Sequence, residues 1–231
     1  MKRRFVLVSI LILLFFLFGN ATAEESEKEI LFRGNSWGST MDEVKSSFPD
    51  NIIWLSPKPD SSYSIMDHMI GTHKKYYDGH VCCYVTALSS SLENLKVAGY
   101  GVEYVQMRFA YVPTSEGYIT DDPNNTALYY AEYRLNCIDF ETAFEDLKSK
   151  LDDLYGNISV KSYPKYSYTE TYYTWHGAEG TMVTLKSKFA ASGMEIYIMY
   201  GFNGADDLLN KAYGALAFQE SIDSESNYDG L

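Results

Sequence analysis

Residues 97–112 read VAGYGVEYVQMRFAYV. Val105, Met107, Phe109 and Tyr111 fall on one side of an extended chain, with Gln106 and Arg108 on the other. A period of two held over this length describes a strand with one apolar and one polar face, the pattern of an antiparallel sheet. Gly99 and Gly101 predict a bulge near its start. Strands of the same kind are predicted from His80 to Leu88, in ALYYAEYRLN, and around ETYYTWH, GTMVTLKSKF and GMEIYIMYG. His176 to Gly180 reads as the turn between the first two of that last trio.

Helical periodicity occurs in a few places. Phe140, Phe144, Leu147, Leu151 and Leu154 form one apolar stripe, with Asp139 as N-cap and Gly156 as the stop. Thr40 and Glu43 fit a capping box opening a short helix whose face carries Met41, Val44 and Phe48. ADDLLNKAYGALAF suggests a last short helix before an acidic, disordered tail. Helix then strands, followed by helix then strands, gives an α+β fold class. Two tandem helix-plus-antiparallel-sheet units are expected, as one continuous sheet with helices on one face. The expected divisions are 1–23, 24–136, 137–218 and a tail from 219 to 231.

WGSTMDEV resembles the opening helix motif of small secreted α/β modules, among them β-lactamase inhibitor proteins and the small lipoprotein of the outer-membrane assembly machine. AFEDLKSKLDDLYGN, followed by a Trp and a GT-x-V-x-L strand, is similar to uncharacterised secreted bacterial α/β-repeat proteins. The resemblance implies a protein that presents a sheet face or loops to another protein, and it brings no catalytic residues. The lipoprotein's lipid-bearing cysteine has no counterpart near Ala23.

The first residues also bear on destination. Lys2, Arg3 and Arg4 precede an apolar run from Phe5 to Phe18 and then Ala21-Thr22-Ala23, the order of a cleaved signal peptide. An uncleaved anchor is the alternative. Cleavage would remove three basic residues and take the formal net charge from -12 to -15. The expectation is a secreted or periplasmic chain without a transmembrane segment once the signal is removed. Its acidity excludes nucleic acid as the expected partner and disfavours anionic lipid.

Chemistry-bearing residues concentrate between Asp67 and Leu88. His68, His73, His80 and Cys82 are the candidate metal ligands, since imidazole and thiolate are common donors. Their spacing matches no metal motif, so loop and strand residues are the simpler reading. Cys82, Cys83 and Cys137 could supply a disulfide. Neighbouring strand residues point to opposite faces, so Cys82 and Cys83 cannot both reach Cys137. One bridge with a spare thiol, or three thiols, both stay open. The cluster at Asp121, Asp122, Asn124 and Asn125 lacks calcium-loop spacing.

Function narrows to three classes. Aromatics at predicted loops and strand ends (Trp54, Tyr166, Tyr168, Tyr172, Tyr173 and Trp175) offer a contact surface for a protein or envelope component. A non-enzymatic binding module is therefore the first expectation. An extracellular hydrolase using carboxylates such as Glu132, Glu170 and Glu179, or His176, is the second. A metal-binding protein using the 68–82 segment is the third. No phosphate loop or dinucleotide fingerprint occurs, so no cofactor is expected.

Overall fold

The computed structural model describes residues 28–59, 81–120, 122–156, 158–164, 169–190 and 193–228. After α1 (Met41–Ser46) come β1 (Lys58–Pro59), β2 (Cys82–Thr86), β3 (Lys96–Val97), β4 (Tyr100–Tyr111) and β5 (Thr126–Asn136). Helix α2 (Phe140–Tyr155) precedes β6 (Ile158–Pro164), β7 (Thr169–His176), β8 (Thr181–Ala190), β9 (Gly193–Phe202) and α3 (Ala205–Tyr228). The nine strands of the described residues join one sheet in the order β1-β2-β4-β5-β9-β8-β7-β6, with β3 on β4. Every pairing is antiparallel.

The α+β class is observed, but two separate tandem units are not. Strands following α1 and strands following α2 meet at the β5–β9 pairing. A single apolar cluster then draws on Ile30, Met41, Val105, Leu147, Trp175 and Ile198 together. Neither half keeps a core of its own.

Local chemistry explains the elements. The Thr40 hydroxyl accepts from Glu43 N and the Glu43 carboxylate accepts from Thr40 N, closing the capping box of α1. Asp139 caps α2 by accepting from Thr142 N at 3.2 Å. Ala143, Phe144, Leu147 and Leu151 of α2 are buried against the sheet, while Leu154 lies 59% exposed in the last turn. The sheet covers one face with α1 and α2 and the other with α3, whose Ala205, Leu209 and Ala212 pack with Cys82, Ala110, Tyr130 and Met182. Helices therefore lie on both faces, not one. Helix α3 also continues to Tyr228, so the acidic stretch after Phe218 is helical where a disordered tail was expected.

An N-terminal segment ties the sheet together. Ile30 and Phe32 are fully buried. Ile30 N donates to Thr181 Oγ1 at 2.9 Å, and that hydroxyl donates to Ala178 O at 2.7 Å. Thr126 repeats the device, accepting from Met41 N and donating to Pro123 O. Gly177 is demanded by space: a Cβ there would stand 2.5 Å from the Lys28 carbonyl oxygen. Among the described residues no helix is long and apolar enough to cross a membrane.

Candidate functional site: a tyrosine–cation row on the sheet

Antiparallel partners project to the same side of a sheet, so the register lists each face directly. On the α3 face one line of partners runs Tyr104–Arg134, Arg134–Tyr197, Tyr197–Lys186, Lys186–Tyr172 and Tyr172–Lys161. Tyrosine and cation alternate strictly across β4, β5, β9, β8, β7 and β6. A second line, Tyr84–Arg108–Tyr130, crosses β2, β4 and β5.

Three of the cations lie over neighbouring rings. Lys186 Nζ stands 4.7 Å from the Tyr172 centroid, Arg108 5.4 Å from Tyr130, and Arg134 5.6 Å from Tyr104. Carboxylates complete each set. Tyr130 donates to Glu132 at 2.5 Å, Tyr197 to Glu195 at 2.6 Å and Tyr172 to Glu170 at 3.1 Å. Arg134 Nη1 reaches Glu195 at 3.3 Å, and its Nε faces Glu103 at 3.5 Å without a hydrogen bond. Lys186 Nζ is 3.8 Å from Glu170.

These contacts set the titration of the face. Burial first, and the Glu132 charge second, push the Tyr104 phenol up to about 12. Tyr197 also rises to about 12, through burial and then its bond to Glu195. Burial works against the charge on Arg134, but the Tyr197 bond and the Glu195 and Glu103 charges outweigh it and hold the guanidinium charged. Tyr104 and Tyr197 therefore stay neutral and Arg134 charged at physiological pH.

Helix α3 leaves one end of the face uncovered. It begins just after β9 ends, and Gln219 near its far end accepts from Ile119 N in the loop between β4 and β5. Both contacts lie at the same strand end. Tyr104, Arg134 and Tyr197 sit toward the opposite end and are half-buried, while Lys161 and Lys188 are exposed.

Comparison with protein-family models, curated proteins and solved structures finds no match. The reading of the site therefore rests on its geometry.

The sequence-selected aromatics scatter. Trp175 is 0% exposed and Tyr172 1%, so neither offers contact surface. The Trp175 indole donates to Asp152 of α2 at 2.9 Å, and Tyr173 packs edge-on against Phe144. Trp54 bridges Ala87 and meets Phe48 edge-to-face. Tyr166 and Tyr168 lie outside the described residues, as do His68, His73, His80 and Asp121. Cys82 and Cys83 are buried on opposite faces of β2, in different apolar clusters, and Cys137 is half-buried. Among the described residues no three ligand-type side chains converge on a metal position.

Two other arrangements carry groups capable of chemistry. His176 Nε2 lies 3.0 Å from Ser159 Oγ, a pair that cross-strand geometry creates and linear spacing conceals. The pair is exposed, and a hydrolytic triad would also need a group orienting the other ring nitrogen. An open hollow of about 360 Å³ lies where β4, β5 and the start of α2 meet, lined by Tyr100, Cys137, Ile138, Asp139 and Thr142. Burial pushes the Cys137 thiol up, which makes it a poor nucleophile.

Glu103, Arg134, Tyr197 and Lys186 escaped the sequence reading. Their signal was weak but present: β4, β5, β7 and β9 each carry a Tyr and a charge on alternating positions opposite their apolar ones.

Proposed function

We propose that the chain is an exported, non-enzymatic binding module that meets a protein or cell-envelope component through the uncovered end of its α3-side sheet face. The carrying observation is the tyrosine–cation row. Six successive strands hold phenols and cations in register at low entropic cost. Tyr104, Arg134 and Tyr197 of the row are half-buried, with Lys161 and Lys188 exposed, toward the end that α3 does not cover. Export rests on the signal-like start.

A photo-crosslinking side chain placed at Lys188 should give adducts in the native envelope fraction, and the same side chain at Lys211 on α3 should not. Adducts of equal yield at both positions, or at neither, would remove the support for this face.

Hydrolysis is the second reading, and the Ser159–His176 contact is the observation in its favour. A fluorophosphonate probe should leave the native chain unlabelled. Labelling that disappears in Ser159→Ala would move the reading to an enzyme.

A further inference from the structure

We infer that the uncovered end of this face is a docking corner for a protein that presents an apolar side chain on a net-cationic surface; the inference rests on the binding-module reading. Residues 53–55 run beside 86–88. Leu55 N donates to Thr86 O, Leu88 N donates to Ile53 O, and Trp54 bridges Ala87. Trp54 and Ala87 pack in the larger core, so alternation sends Ile53, Leu55 and Leu88 to the α3 side. There they lie 55%, 40% and 39% exposed. Helix α3 packs with Cys82 and Ala110, at the far end of β2 and β4 from this corner.

The half-buried end of the row adjoins the corner. Thr86 pairs with Gln106 and Ala87 N donates to Val105 O, so the same register sets Leu88 beside Tyr104, the partner of Arg134. Three exposed aliphatic side chains therefore stand next to a half-buried phenol and the Arg134–Glu103 ion pair. Aliphatics exposed singly carry no meaning, but a contiguous set does. An apolar centre inside a polar margin is the anatomy of a protein–protein contact.

Charge selects the occupant. The margin itself is mixed in sign, with exposed Asp50, Glu93 and Glu103 against Lys58, Lys96 and Arg134. The sign of the partner is then set by the whole chain, whose formal net charge is -12. Its field draws a cationic surface and repels both a second copy and an anionic bilayer. A neutral sugar is held by hydrogen bonds, which Ile53, Leu55 and Leu88 cannot make through their side chains. An apolar side chain of a cationic protein satisfies both the corner and the field.

Fluorescence anisotropy with the signal-free chain tests the assignment. The probes are a labelled amphipathic peptide of Leu and Lys and its Leu/Glu counterpart; phosphatidylcholine vesicles are added in a separate sedimentation assay. The Leu/Lys peptide should bind, and the Leu/Glu peptide should bind at least about tenfold more weakly. Ile53→Ser combined with Leu88→Ser should cost about tenfold, while Tyr213→Ser on α3 should change affinity less than about twofold. All three replaced side chains are exposed, so folding, checked by circular dichroism, is preserved. Equal affinity for the two peptides, unchanged affinity in the double variant, or no binding at all overturns the inference. Vesicle binding, or dimerisation, that disappears in the double variant also overturns it, by seating a lipid surface or a second copy on the corner. If crosslinks at Lys188 still form when the inference fails, only the partner class falls. If they are also missing, the binding-module reading falls with it.

Discussion

Trp175 shows what one buried side chain can do in this fold. Its ring is fully enclosed, and its N–H is satisfied by Asp152, which also accepts from Lys148 at 2.8 Å. The Lys148 bond first, and the Trp175 bond after burial's opposing effect, hold Asp152 below its usual 3.8. A lowered carboxylate contributes stability that is fully present above the unfolded value and is lost as pH falls through the folded one. Asp152→Ala should therefore cost about 1 kcal/mol near neutrality, a figure kept small because the carboxylate is partly exposed. Thermal melts compared with the native chain should show the difference closing as pH falls below the usual 3.8. A constant difference across that range would deny the coupling. Trp175 and Tyr172 both read as surface aromatics in sequence. Alternation reveals that neighbours face opposite ways; it does not reveal that α2 covers one side while the other side is also enclosed.

At the scale of elements, the N-terminal segment and the β7–β8 turn are one structural device. Thr181→Val keeps the shape but removes both the acceptor for Ile30 N and the donor to Ala178 O, leaving buried groups unsatisfied at about 1–3 kcal/mol. Gly177→Ala should cost a similar amount, roughly 1–3 kcal/mol, because the new methyl meets the Lys28 carbonyl. Urea midpoints should fall in both variants with unchanged slopes; an unmoved midpoint in either would mean the segment is not fastened there. The capping box of α1, the Asp139 cap and the α2 stripe were legible because they are local and periodic. Strand β6 was not. It is an edge strand with Ser159, Lys161 and Ser162 among largely exposed positions, so no apolar alternation marks it. Helix α3 outruns its apolar residues, since the acidic residues beyond Phe218 carry little core-facing signal.

The whole molecule is organised around one sheet with chemically different faces. Residues from both halves share the larger core, so calorimetry should record a single unfolding transition, and residues 24–136 alone should not give a cooperative one. Two separable transitions would contradict the shared core. The phenols make a second global prediction. Tyr104 and Tyr197 are raised to about 12, and a raised group contributes stability present below the unfolded value near 10 and lost as pH climbs through the folded one. Absorbance at alkaline pH should show late tyrosine ionisation coinciding with loss of structure. The β5–β9 joint, which builds the row, was invisible in sequence because it pairs residues more than sixty positions apart.

Protection of tyrosines from chemical nitration tests the account most directly. With the native envelope fraction added to the signal-free chain, Tyr104 and Tyr197 should lose reactivity, while Tyr213, 52% exposed on α3, should keep it. Protection of Tyr213 with no change at Tyr104 and Tyr197 would put the contact surface elsewhere and contradict the assignment of the sheet face.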